Sequence, residues 1–133
     1  MLDRARAALR ATVRDVPDFP TPGIGFKDIA PMLADAAAFA AVIDGLDALL
    51  ADTEVDYVVG VESRGFILAA PLAVRRGCGL VLVRKAGKLP GPVHSFEYDL
   101  EYGSATLQMQ ADAFAGTQGR TPRVAVVDDA LEI

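Results

Sequence analysis

Three short polar clusters carry the groups in this sequence that could do chemistry: Glu62-Ser63-Arg64-Gly65, then Arg84-Lys85 with Gly87 and Lys88 close behind, then Asp128-Asp129. Arg64, in a short loop leading into a helix, can grip a phosphate bidentately while N–H groups of the helix start point at the same anion. Arg84, Lys85 and Lys88 add cations beside a flexible glycine. The paired aspartates suit ribose hydroxyls, or a Mg²⁺ held between carboxylates and a diphosphate. Each cluster also has a plainer reading taken singly: a surface arginine, a solvated basic turn, two aspartates capping the next helix. Cys78, between Gly77 and Gly79, reads as a buried inert thiol and His94 as an exposed loop residue, so no Cys–His nucleophilic pair is expected. Gly87 and Gly91 form neither a dinucleotide fingerprint nor a Walker loop.

What joins the three clusters is the element before each. Val58-Val59-Gly60-Val61, Leu80-Val81-Leu82-Val83 and Val124-Ala125-Val126-Val127 are apolar runs without polar alternation, the pattern of parallel strands covered on both faces. All three clusters therefore sit at strand C-terminal ends, where open parallel sheets place their ligand crevice. The apolar stretch from Phe66 to Val74 reads as the crossover helix, with Pro71 kinking it or marking its edge. Upstream, Leu2, Ala5, Leu9, Val13 and Val16 recur at helical spacing, which predicts an amphipathic helix ending before Pro17. A Pro- and Gly-rich loop follows, whose Phe19, Ile24 and Phe26 are expected to plug a core edge. Asp35 can cap a second helix with Phe39, Val42, Ile43, Leu46, Leu49 and Leu50 on one apolar face. Between Val93 and Met109, alternation on either side of Tyr102-Gly103 predicts an antiparallel hairpin.

A chain of 133 residues, 52% hydrophobic and 23% charged, has the size of one domain with a real core. Its net charge of −5 argues against a nucleic-acid or membrane-surface binder, so an anionic ligand needs a local basic pocket. The single cysteine excludes an intramolecular disulfide and a cysteine-rich metal site. Residues 1–13 mix Asp3, Arg4, Arg6 and Arg10 with small apolar residues, unlike a signal peptide or a membrane span, and a soluble cytoplasmic protein is expected.

Several stretches in order resemble one family: Pro17-Asp18-Phe19-Pro20 through Pro22-Gly23-Ile24-Gly25-Phe26-Lys27-Asp28-Ile29, Glu62-Ser63-Arg64-Gly65-Phe66, Arg84-Lys85-Ala86-Gly87-Lys88-Leu89-Pro90, Leu100-Glu101-Tyr102-Gly103 and Val126-Val127-Asp128-Asp129. The family is adenine phosphoribosyltransferase, of the type I phosphoribosyltransferase class. The resemblance implies an α/β fold over residues 1–133, a mainly parallel sheet flanked by helices, with a flap hairpin and an N-terminal hood. It implies transfer of phosphoribosyl from phosphoribosyl pyrophosphate to adenine N9, giving AMP and pyrophosphate, with Mg²⁺ as cofactor and a homodimer as the assembly. By the same resemblance the backbone of Gly25 meets the adenine edge, Phe26 stacks on its face, and Lys27 belongs to the same substrate-binding loop. Arg64 and the Ser63 loop, with Arg84, Lys85 and Lys88, hold pyrophosphate. Asp128 and Asp129 face the ribose, and hold the metal directly or through ribose and diphosphate. Glu101 assists proton movement at adenine and Tyr102 closes over the site, so Glu101, Arg64 and Tyr102 form the catalytic group.

Two departures from the family bear on the base and the 5′-phosphate. Ala130 stands where the family often has a larger aliphatic side chain against adenine. The family continues after its two aspartates with a loop of the form Leu-Ala-Thr-Gly-Gly-Thr that cradles the 5′-phosphate, whereas this sequence reads Ala130-Leu131-Glu132-Ile133. The expectation is an incomplete domain at that end, with AMP formation by these 133 residues far below that of a longer chain. Two rivals remain at this point: a non-catalytic purine or phosphoribosyl pyrophosphate-binding relative, and a truncated dimeric scaffold.

Overall fold

The structure, a computed structural model, describes residues 1–100 and 102–129. It divides into two compact units, Met1–Asp52 and Thr53–Ile133.

In the first unit, helix α1 (Leu2–Thr12) is shorter than its apolar spacing predicts. Val13 turns extended, and strand β1 (Arg14–Val16) pairs antiparallel with β2 (Phe26–Asp28). Two cross-strand ion pairs in register, Arg14 with Asp28 and Lys27 with Asp15, favour the ladder over another helical turn. Helix α2 (Ala30–Ala34), which the sequence pattern did not reveal, carries Pro31 in its first turn, where no N–H is needed. Helix α3 (Ala36–Leu49) starts where Asp35 accepts a 3.0 Å hydrogen bond from the Ala38 N–H, as its cap position predicts. Its buried face runs through Ala38, Ala41, Val42, Ile43 and Gly45, while Leu49 is exposed. The reason is close approach: a Cβ on Gly45 would lie 2.5 Å from Cβ of Ala5 in α1. In the loop between β1 and β2, Phe19 and Ile24 are each half exposed, so they do not plug a core.

The second unit opens with β3 (Tyr57–Val61), continues through helix α4 (Arg64–Arg76) and β4 (Gly79–Lys85), forms the hairpin β5 (Val93–Leu100) and β6 (Gly103–Gln110), and returns as β7 (Val124–Val127). The five-stranded sheet has the order β5-β6-β4-β3-β7. β4 and β7 both run parallel to β3, and the hairpin adds antiparallel strands on the far side of β4. Pro71 lies inside α4 without ending it; the helix stops at Gly77, whose φ of 70° suits a glycine. Leu68, Ala69, Leu72 and Ala73 bury the helix face, and Gly60 in β3 gives it room, since a Cβ there would lie 2.9 Å from Ala69. Only β3 is covered as the apolar runs predict. Leu80 and Leu82 remain partly exposed on the face that α4 covers, because the helix packs chiefly on the central strand, and Val124 and Val126, the latter 66% exposed, alternate onto the opposite face.

At the opposite end of the strands from the polar clusters, Asp56 accepts both Arg120 guanidinium bonds at 2.9 Å and the Arg123 N–H at 2.8 Å. The Arg120 hydrogen bonds first, then the Arg123 N–H, hold the Asp56 carboxyl at about 2 against an ordinary 3.8, although burial pushes the other way. A depressed carboxyl stabilises the fold fully above its unfolded value and loses that contribution as pH falls through the folded one. Arg120→Ala is therefore expected to lower the melting temperature at neutral pH, with the gap from wild type closing between about pH 4 and pH 2. Thermal melts across pH 2–7 check this; a gap that persists at pH 2 would assign the effect to packing instead. Among the described residues no helix is long and apolar enough to cross a membrane.

Candidate active site

The C-terminal ends of β3, β4 and β7 carry the three clusters, and their side chains meet in two groups. The first centres on Glu62, whose side chain is only 5% exposed. It follows β3 directly, and its N–H donates to Val83 O at 2.9 Å, which fixes it beside β4. Its Oε1 accepts from Arg84 Nε at 2.9 Å and from the Lys85 N–H at 3.3 Å, and its Oε2 accepts from Lys88 Nζ. The Lys88 hydrogen bond foremost, then those of Arg84 and the Lys85 N–H, hold the Glu62 carboxyl at about 2 against the opposing push of burial. The Arg84 guanidinium also lies 5.9 Å from the centre of the Phe66 ring.

The second group joins α4 to β7. Arg64 is the first residue of α4, after a cis Glu62–Ser63 peptide, and its Nε pairs with Asp129 Oδ2 at 2.8 Å. Asp129 also donates its N–H to Asp128 Oδ1 at 2.8 Å. Burial pushes the Asp129 carboxyl up, the Arg64 charge opposes it, and Asp128 adds to the rise. Gly65 is buried here for a steric reason: a Cβ would lie 2.7 Å from Val127 O and 3.1 Å from Asp128 Oδ1. Ser63 caps the helix by position but its side chain makes no capping bond, which leaves an exposed hydroxyl beside Arg64.

Thus Arg64, Arg84, Lys88 and Asp129 are placed in two ion-paired groups at the strand ends, while Lys85 contributes its backbone N–H and leaves its side chain exposed. Asp128 is exposed at the end of β7. Glu62 is the residue that site reasoning from sequence passed over. Its signal was a carboxylate at the end of one buried strand, next to a strand end that carries two adjacent cations.

Gly25, Phe26 and Lys27 belong to the first unit. Gly25 is exposed with nothing within 4 Å of where a Cβ would stand, so its backbone is open to a ligand. Phe26 is half-buried in β2 and meets Phe19 edge-on at 5.1 Å. Lys27 is paired with Asp15 across the β1–β2 ladder, with both side chains half exposed or more. Tyr102, at the hairpin tip, is 94% exposed. Glu101 and Ala130 lie outside the described residues. His94 is exposed as expected but on strand β5 rather than in a loop, and Cys78, only half-buried, donates its Sγ–H to Val55 O at 3.1 Å.

Among the described residues no three or more His, Cys, Asp or Glu side chains converge as a metal site. Mg²⁺ seldom needs so many: one or two carboxylates, waters and substrate phosphates complete its shell. The exposed Asp128 carboxylate fits that donor set, whereas Asp129 is engaged by Arg64.

No protein-family model matches the chain. An adenine phosphoribosyltransferase of Kineococcus radiotolerans is 54% identical over 129 residues, 97% of this chain and 68% of the relative. The crystal structure of adenine phosphoribosyltransferase from Thermoanaerobacter pseudethanolicus superposes with a TM-score of 0.85 at 45% identity, over 92% of this chain and 69% of the other. The Saccharomyces cerevisiae enzyme, crystallised with an imino-altritol bisphosphate and adenine, gives a TM-score of 0.85 at 36% identity, over 97% and 73%. With likeness of this degree along nearly its whole described length, in sequence and in fold, the chain belongs to the adenine phosphoribosyltransferase family.

Proposed function

We propose that this protein forms AMP and pyrophosphate from adenine and phosphoribosyl pyrophosphate through the strand-end groups just described. The observation that carries the reading is the gathering of Arg64, Arg84 and Lys88 with the Asp128-Asp129 pair at one edge of the sheet, cations for a diphosphate beside acceptors for a ribose. The 133 residues are read as one phosphoribosyltransferase domain. Its relatives are named as enzymes, so neither a non-catalytic binder nor a scaffold is favoured.

In the reaction the N9 lone pair of adenine forms the bond to the anomeric carbon as the bond from that carbon to the diphosphate oxygen breaks. The bonding pair leaves with pyrophosphate, and the N9 proton is lost to Glu101, the residue that the family resemblance assigns to it. Positive charge builds on the sugar and negative charge on the departing oxygen. Arg64, Arg84, Lys85 and Lys88 offset the latter. The backbone of Gly25 and the ring of Phe26 are assigned to the base, and Asp128 and Asp129 to the ribose hydroxyls. Asp128 is the residue best placed to hold Mg²⁺, which when bound neutralises part of the diphosphate charge. The hairpin with Tyr102 at its tip serves as the flap that keeps water from the reactive sugar. The assembly is read as a homodimer and the location as the cytoplasm.

AMP formation from adenine, phosphoribosyl pyrophosphate and Mg²⁺ by the 133 residues and by a chimera carrying a complete family C-terminus is the direct test, and absence of product from both would refute the reading. Phe26→Ala is expected to weaken adenine binding by about 1–3 kcal/mol, the range for a base stacked on an aromatic ring. Calorimetry checks this. A sharp fall in melting temperature with adenine affinity unchanged would mean that Phe26 serves packing and not the base.

A further inference from the structure

Glu62 has no task in the reading above, yet it holds two of the cations to which that reading gives one. A carboxylate 5% exposed is expensive to keep ionised unless it is well paired, and Arg84 Nε, Lys88 Nζ and the Lys85 N–H supply the pairing. The arrangement also lowers the attraction of the site for anions. Two cations on one carboxylate leave a net single positive charge, and the carboxylate repels an approaching diphosphate.

The two cations are mounted differently. Arg84 is fixed in β4, with the Phe66 ring beside its guanidinium, and Glu62 takes its Nε edge while the side chain stays about one-third exposed (32%). Lys88 lies on the link between β4 and β5, between Gly87 at φ 87° and Gly91 at φ 74°, with its side chain 47% exposed. Glycines on both sides let the link re-aim the lysine at small backbone cost. Gln108 of β6 accepts from the Gly87 N–H at 3.1 Å and donates to Ser95 of β5 at 3.0 Å, which ties the same link to the hairpin.

We propose that Glu62 is an internal counter-ion that competes with pyrophosphate for Arg84 and Lys88, and so limits the affinity of the site for its product and speeds product release. It acts through those two cations and touches no reacting atom. The proposal rests on their assignment to pyrophosphate.

Calorimetry of pyrophosphate with Mg²⁺ on wild type, Glu62→Gln, Arg84→Ala, Lys88→Ala and the Glu62→Gln/Lys88→Ala double variant tests it, with steady-state kinetics on the same proteins. Glutamine keeps the shape, leaves an amide oxygen to accept from Arg84 Nε and the Lys85 N–H, and removes both the charge and the oxygen that accepts from Lys88. Pyrophosphate is expected to bind Glu62→Gln about tenfold tighter, as loss of one like charge at this range predicts. Adenine affinity is expected to stay the same, while KM for phosphoribosyl pyrophosphate and kcat both fall, and most of the gain is expected to vanish when Lys88 is also removed. A residue that only supported the fold would give the opposite sign, a looser site and weaker binding. If Glu62→Gln does not fold, Glu62→Asp keeps the charge but draws it back from Lys88, and a smaller shift in the same direction is expected. Weaker or unchanged pyrophosphate binding in either Glu62 variant, with Arg84→Ala and Lys88→Ala both weakening it, overturns the proposal and leaves the assignment intact. If neither Arg84→Ala nor Lys88→Ala alters pyrophosphate affinity, the assignment falls and the proposal with it.

Discussion

Arg64→Ala is expected to weaken pyrophosphate and phosphoribosyl pyrophosphate binding by about 1.5–3 kcal/mol, the range for losing a charge-assisted contact, and to leave adenine binding nearly unchanged. The position of Arg64 supports this. It opens α4, where helix N–H groups also face an anion, and its Nε edge is held by Asp129 at 2.8 Å. The same ion pair widens the effect. Asp129 is already pushed up by burial, and Arg64 is the group that opposes that push. Without the arginine the carboxylate assigned to the ribose is harder to keep ionised, so the loss is expected to exceed that of Lys85→Ala, whose side chain is exposed. Arg64→Lys should recover only part of it, because an ammonium lacks the planar fork. Calorimetry with each ligand decides, and equal losses for adenine and pyrophosphate would remove Arg64 from the anion site.

Gly65→Ala is expected to cost both stability and activity although it adds a single methyl group. That carbon would sit 2.7 Å from Val127 O, 3.1 Å from Asp128 Oδ1 and 3.2 Å from Asp128 Cα. The nearest atom belongs to the backbone of β7, which cannot swing aside as the tip of a flexible side chain can. Relief requires α4 and the end of β7 to separate, at about 1–3 kcal/mol for overpacking of this kind. Separation would also pull Arg64 from Asp129, so the melting temperature and the rate of AMP formation should fall together. Gly25→Ala is the control for the melting temperature alone, since nothing lies within 4 Å of the added carbon and the backbone there needs no left-handed conformation. A Gly65→Ala protein that melts and turns over like wild type would show that helix and strand are not held this closely.

The strands, the crossover helix, the Asp35 cap and the hairpin were legible because each is written in a local pattern: β-branched runs, a capping aspartate, alternation across a turn. Local pattern misled where a neighbour in space decided the outcome. Val13 and Val16 continue the helical spacing of α1, but the ion pairs Arg14–Asp28 and Lys27–Asp15 draw that segment into a strand. Pro71 signals a kink or a helix edge, and the edge does not fall there, since the buried face of α4 against β3 carries the helix past it. For the site, residue types at strand ends identified Arg64, Arg84, Lys85, Lys88, Asp128 and Asp129 as a set, since a parallel sheet must bring its C-terminal ends to one edge. Which cation meets which carboxylate was not readable, because partners 22 to 26 residues apart in the Glu62 group are chosen by strand register and side-chain reach. The sequence by itself therefore determined the family, the parallel core and the chemical kinds of group at its edge. Only the tertiary structure decided that Lys27 pairs with Asp15, that Gly65 is a point of backbone contact, and that Glu62 holds two of the cations, because charge pairing and steric fit depend on distances no linear pattern encodes.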